Sequence, residues 1–336
     1  MKRLWGLVAA GVLAASPASA QTVLIRMATI VPDGSAWHLI LKEMGEKWKT
    51  ASGGRVVLRL FPGGIQGDDP IVVSKMRLGT LDAGLLTSVG IGEIDRAVLA
   101  LQIPMMYASY EELDYVLERM NTRLEERLAA KGFVLLNWAD GGRIHFFTKQ
   151  PVMKPDDLKA LRLFTWQGNS DDTDVWKAAG FNPVPLPSTE VSTALQTGLV
   201  TAMPAPPQAA VVLQWYQHAR NMTDLKWLFL LGGTLMRKTA WDRIPADAQP
   251  AIREAAREAG RRLREEIRGA EPRDIEAMRK RGLNVVHVDE NTEVLWRSAA
   301  EAAYGRVRGA IVPAEAFDEA KRLRDEYRQR SGSRSR

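Results

Sequence analysis

Between Pro183 and Pro206 the chain reads PVPLPSTEVSTALQTGLVTAMPAP. A proline-punctuated extended run leads into a helix start at Ser188-Thr189-Glu190. There Ser188 can cap the helix, and Glu190 sits at the favourable end of the helix dipole. The pattern predicts a helix that stops at Gly198 and a short strand, Leu199 to Met203, that stops at prolines. Such a strand–helix–strand unit constrains the fold strongly, because a helical crossover joins parallel strands on one sheet.

The same order opens the chain. Val23 to Ala28 alternates as a strand, Trp37 to Thr50 has helical apolar spacing, and Arg55 to Phe61 alternates again. After a turn at Pro62-Gly63-Gly64, Asp69 to Leu78 reads as a helix closed by Gly79, and Leu81 to Leu86 as a strand. Ser109 and Glu112 have capping-box spacing and open a helix to about Ala130. Phe133 to Trp138, Arg143 to Thr148 and Leu161 to Trp166 read as three further strands. Leu228 to Met236 is an apolar segment placed to cross back between domains. Ala246 to Arg268 reads as a long helix with an apolar stripe at Ile252, Ala256, Ala259, Leu263 and Ile267. Leu283 to Val288 reads as a strand, and Thr292 to Ile311 and Pro313 to Arg328 as terminal helices. The expected class is α/β with parallel strands, and 336 residues suffice for two domains.

The first 20 residues are a separate object. Lys2 and Arg3 precede a short apolar run, Leu4 to Ala15, and Ala18-Ser19-Ala20 is a small-x-small cleavage site. The apolar run falls short of the ~20 residues that a membrane span needs. The pattern predicts a secretory signal peptide cleaved after Ala20, and export to a periplasm. There is no cysteine, so lipid anchoring through a thiol, disulfides and thiolate metal sites are excluded. The net charge of +6 is modest, and the basic C-terminal run RQRSGSRSR reads as a solvated terminus, with no nucleic-acid partner expected.

The sequence carries no recognisable catalytic constellation. The four histidines, His38, His145, His218 and His287, have no metal-ligand spacing, and neither HExxH nor GxSxG occurs. Asp171-Asp172-Thr173-Asp174 lacks the glycine and glutamate of a calcium loop. Asp68-Asp69 and Asp156-Asp157 lie at helix starts, where the dipole accounts for them. No cofactor, no metal and no enzymatic activity are expected.

The chain resembles the solute-binding proteins of TRAP-type (tripartite ATP-independent periplasmic) transporters, of the C4-dicarboxylate-receptor-like family. The Pro183–Pro206 run is similar to a family signature beside the ligand cleft. Further likenesses follow in family order: Phe61 to Asp68, Arg77 to Asp82, Gly142-Arg143, Lys154 to Leu163, and Trp241 to Pro245. The resemblance implies a two-lobed periplasmic binding protein (type II-like), with a ligand cleft between the lobes and a long spanning helix. The implied lobes are 21–146 plus 232–280 and 147–231 plus 281–330. They would close on a small molecule and dock on membrane permease subunits. A ligand-presenting role toward a sensor or another partner protein is the alternative.

The resemblance also implies site residues. Where the family has a carboxylate-clamping arginine, this chain has Phe164. Arg162 lies two residues earlier on the same strand face. A family asparagine corresponds to Ala205 and a cleft aromatic to Ser188, whereas a second arginine is kept as Arg143. Trp166 shares the side of Phe164, and Thr29 and Thr87 complete the expected ligand-binding set. Two ligand classes follow. One is a monocarboxylate or a more apolar, lipid-like molecule, with Arg143 holding a single acid group. The other is a classical small dicarboxylate or keto acid held by Arg143 or Arg162. A family branch with a similarly apolar cleft works with helical-repeat proteins, which makes such a protein a further candidate partner.

Overall fold

The computed structural model describes residues 22–167 and 170–334. The expected leader, the tip of the loop after Trp166 and the last two residues lie outside them. The strands are β1 (Val23–Thr29), β2 (Val56–Phe61), β3 (Ala83–Thr87), β4 (Phe133–Thr148), β5 (Arg162–Trp166), β6 (Asn182–Leu186), β7 (Ala202–Ala205), β8 (Asn221–Arg237) and β9 (Asn284–His287). The first helices are α1 (Ala36–Ala51), α2 (Asp69–Leu78), α3 (Ser88–Ile94), α4 (Tyr110–Ala130), α5 (Pro155–Lys159) and α6 (Ser170–Ala178). They are followed by α7 (Val191–Thr197), α8 (Pro207–Val212), α9 (Lys238–Trp241), α10 (Gln249–Arg279), α11 (Glu290–Arg306) and α12 (Ala314–Arg334).

The strands form one nine-stranded sheet in the order β2-β1-β3-β8-β4-β7-β5-β6, with β9 added on β8. β1 pairs parallel with β2 and β3, and β5 pairs parallel with β6 and β7, so each half is a small α/β unit. The halves are joined by β4 and β8, a long antiparallel pair registered from Phe133↔Arg237 to Thr148↔Asn221. Sequence reading divides β4 into two strands at Gly141-Gly142. The chain instead passes through a β-bulge there, with Gly142 at φ +105°, and the strand continues into the other half. Glycine is required at 141 as well, since a Cβ would lie 2.7 Å from the Leu230 side chain.

α10 ties the halves together. It packs on α1 and β4 in the first and on α8 in the second. It also outruns its expected end at Arg268 by continuing through Gly269 and Pro272. Burial of Ala270, Asp274 and Met278 on the second half holds the extra turns, against the local preference of Gly and Pro. Separate apolar clusters flank each half. Trp48, Leu41 and Ile252 belong to one in the first half, and Phe147, Leu195 and Met222 to one in the second. The C-terminal helices return across the junction: Trp296 of α11 packs with Phe146 and Trp227, whereas Phe317 and Leu323 of α12 join the core around α4. Between them the helix breaks at Arg308 and Gly309 (φ +97°).

Three further expectations are corrected. Ser188 is no helix cap: Ser188–Glu190 is a 3-10 turn ahead of α7, and its hydroxyl is used elsewhere. The strand after Gly198 is Ala202–Ala205, because Leu199 to Thr201 turn to meet Arg162. Ser109 does cap α4, but the Glu112 carboxylate accepts from Ala108 N–H and from Arg328 rather than from the cap residue's own amide.

Candidate functional site: a cleft at the strand ends

In open parallel sheets, ligands lie beyond the carboxyl ends of the strands. Here those ends converge from both halves. β1 runs out into Ile30 and Pro32, β3 ends at Thr87, β5 at Trp166, and β6 is followed by the Ser188 turn. Between them lies a cavity of about 570 Å³. Helix α3 and the turn Arg96–Gln102, not foreseen from sequence, supply Val89, Leu99 and Gln102. The break between α11 and α12 closes one side with Ala303, Tyr304, Val307 and Ile311.

The lining is rich in rings and poor in charge. Phe164, Trp166, Trp176, Phe181, Trp215, Trp227 and Tyr304 all contribute. Trp176 meets Phe181 edge-on at 4.9 Å and Trp227 at 5.8 Å, so their relative positions are fixed by packing. Ile144, Leu228 and Leu230 come from the crossing strands. The charged lining residues are Asp33, Glu93 and Arg96, and Arg96 donates to the Ala310 carbonyl in the α11–α12 break.

Of the residues singled out from sequence, Thr87, Phe164, Trp166, Ser188 and Ala205 line this cavity. Thr29 lies beneath it. Its hydroxyl accepts from Val31 N–H and its carbonyl from Gly64 N–H, which holds two cleft turns in place. Arg162 begins β5, at the end of the strand away from the cleft, and its guanidinium donates to the carbonyls of Gly198 and Leu199. Arg143 points to the opposite face of β4. Ile144 faces the cavity, and side chains alternate along a strand. The Arg143 guanidinium instead lies over Tyr110, 4.9 Å from the ring centroid, with Nη1 3.8 Å from Glu271 of α10. Burial pushes the Glu271 carboxyl up, but His145 and Arg143 outweigh it, and the net shift is downward.

Sequence reasoning missed Trp176, Phe181, Trp215, Trp227 and Tyr304. Alternation along β8 does not single out Trp227, because Leu228 and Leu230 line the cavity as well. Contributions from the C-terminal break and from α3 carry no local signature.

Two carboxylates sit behind the cleft wall. Asp68, the N-cap of α2, accepts from Asp69 N–H and also from Ser188, at 2.8 Å from its amide and 2.9 Å from its hydroxyl. Asp69 is fully buried, and its Oδ2 accepts from the Thr87 amide and hydroxyl, both at 2.7 Å. The helix dipole is thus not the reason for this pair. Burial pushes the Asp69 carboxyl up to about 7, despite the pull of the Thr87 donors. Among the described residues no cluster of His, Cys, Asp or Glu is arranged to hold a metal, and no helix is long and apolar enough to cross a membrane.

Comparison with known proteins agrees with this geometry. Residues 27–309 match the DctP family, bacterial extracellular solute-binding protein, family 7. The chain belongs to this family, the solute receptors of TRAP transporters. The 2,3-diketo-L-gulonate-binding periplasmic protein YiaO of Escherichia coli is 24% identical, over 92% of this chain and 93% of that protein. An uncharacterized protein of Haemophilus influenzae is 29% identical, over 85% and 87%. Among solved structures, a TRAP periplasmic solute-binding protein from Pseudomonas putida F1 with bound D-glucuronate superposes with a TM-score of 0.81 at 23% identity, covering 89% of this chain and 96% of that one. The sugar-acid-binding DctPAm of Advenella mimigardefordensis, in complex with galactonate, gives 0.85 at 19% identity, covering 91% and 99%. The family is one of receptors rather than enzymes.

Proposed function

We propose that this receptor delivers to its TRAP permease an organic ligand with a bulky apolar body and at most one acid group. The observation that carries the reading is the cleft lining: seven aromatic side chains, with Asp33, Glu93 and Arg96 as its charged members. Phe164 stands where the resemblance places a clamping arginine, and Arg143 is engaged on the far face of β4. Loss of a two-pronged arginine costs a carboxylate about 2–5 kcal/mol, which a small diacid has little apolar surface to recover. The volume suits a ligand larger than a six-carbon sugar acid.

In this reading the lobes are 21–146 plus 232–280 and 147–231 plus 281–330, with α12 of the second segment packed back on α4 of the first. The lobes flex at β4 and β8, and the mature chain starts at Gln21 in the periplasm. A helical-repeat partner forms no part of the proposal.

A panel in thermal-shift and calorimetric titration tests it: decanoate and 1-naphthoate against D-galacturonate, galactonate and succinate. The apolar monocarboxylates are expected to raise the melting temperature, as any ligand specific for the folded state does. A response confined to the sugar acids or succinate would overturn the apolar assignment. The second reading, a sugar-acid receptor, is favoured by the glucuronate and galactonate bound in the two solved structures.

A further inference from the structure

Beside the cleft the two halves meet through a buried polar contact that needs no ligand. Asp68 belongs to the first lobe, at the turn before α2, and Ser188 to the second, directly after β6. Both oxygens of the Asp68 carboxylate accept from Ser188, one from its amide and one from its hydroxyl. Both residues are more than nine-tenths buried, so water competes poorly for these bonds. The carboxylate is held in place in advance, because it also caps α2. The adjoining turns fit closely: a Cβ on Gly64 would lie 2.8 Å from Thr189 Cγ2, and Gly64 has φ +71°. Thr87, another hydroxyl residue of the cleft lining, spends its amide and hydroxyl on Asp69.

We propose that Asp68 and Ser188 form a latch that holds the two lobes shut and so sets part of the specificity of the receptor. A ligand that bridges two lobes by its own polar groups closes a receptor through differential contacts. Here the chain supplies such a bridge itself. The donors of Ser188 and Thr87 are taken by the protein's own carboxylates, so at these two residues a ligand acid group finds no open donor. The ligand is required to fill the cleft, not to bridge it at this point. This inference goes beyond the assignment of ligand class and stands on the two-lobed fold alone.

The absence of native cysteine makes the test direct. Glu46→Cys on α1 and Lys177→Cys on α6 place one exposed label on each lobe. Double electron–electron resonance then measures the inter-lobe distance in mature protein shown by mass spectrometry to be ligand-free. The latch predicts a closed population without ligand, and a closed-to-open ratio about tenfold lower in Ser188→Ala, the value of one hydrogen bond to a charged acceptor. In an Asp68→Ala background, checked for folding by its melt because it loses a helix cap, Ser188→Ala should have no further effect. A wholly open ligand-free protein, an unchanged ratio in Ser188→Ala, or an equal drop in the Asp68→Ala background would each overturn the proposal.

Discussion

Arg143 Nη1 stands 3.8 Å from Glu271 Oε1, so the arginine at the family position ties β4 to α10 on the face away from the cleft. His145 Nε2 reaches the same carboxylate oxygen at 3.5 Å. These contacts join a strand that crosses the lobes to the helix that spans them. They hold Arg143 outside the cavity lining, to which β4 contributes Ile144 instead.

Arg143→Gln is therefore expected to lower stability while leaving ligand affinity nearly unchanged. It leaves a mostly buried Glu271 with His145 and the more distant charge of Lys226, and a loss of about 1–3 kcal/mol follows from removing one partner of such a contact. Chemical denaturation and titration with decanoate measure the two effects separately. An affinity loss above about tenfold with unchanged stability would return Arg143 to the ligand.

Asp69 predicts a pH dependence of stability. Its folded-state pKa is raised to about 7 from an ordinary value of 3.8. Between those values the folded state holds the proton and the unfolded state does not, so this group's contribution falls as pH rises through the window, then levels off above it. At about 1.4 kcal/mol for each pH unit between the two values, the effect amounts to a few kcal/mol. Asp69→Asn should remove this slope. Parallel melts of both proteins from pH 4 to 8 would refute the assignment if their difference stays constant.

Gly64→Ala tests the contact between the lobe turns. The residue combines a positive φ with a neighbour, Thr189 Cγ2, at 2.8 Å from any added Cβ. A destabilisation of about 1 kcal/mol is expected from the backbone alone. The closed population should also fall, and pairing with Thr189→Ser should restore part of it.

Much of the fold was legible because it rests on local pattern. The βαβ alternation, the Asp68–Gly79 limits of α2 and the Ser109 cap all express short-range physics of caps and glycines. What was not legible depends on distant partners. Gly141-Gly142 falls between two strands read separately, yet pairing with β8 on both sides makes it a bulge in one strand. Pro272 argues for a helix end, yet burial on the second lobe overrides it. Within the site, Thr87 and Phe164 were placed at the cleft by the family resemblance, and both line the cavity. The side on which Arg143 emerges was not legible, because bulges on either side of it reset the alternation. Ser188, placed at the cleft by the resemblance, lines the cavity, but its hydroxyl serves Asp68, 120 residues away in sequence, instead of capping its own helix.

Phe164→Arg should convert the cleft toward small acids. Phe164 is buried at the cavity wall beside Trp166, with ring centroids 6.0 Å apart. An arginine there restores a two-pronged donor at some cost in packing. Binding of D-galacturonate is expected to tighten by about thirtyfold or more, the lower end of what such a donor contributes. Calorimetric titration of both proteins decides it. Unchanged galacturonate affinity in a folded variant would show that Phe164 does not face the ligand's acid group.

The central claim is the apolar character of the natural ligand. Native mass spectrometry of the mature protein, purified without refolding, with extraction and identification of the co-purified molecule, tests it most directly. The account predicts a monocarboxylate on a largely hydrocarbon or aromatic skeleton. A polyhydroxylated sugar acid or a small dicarboxylate in the cleft would contradict it.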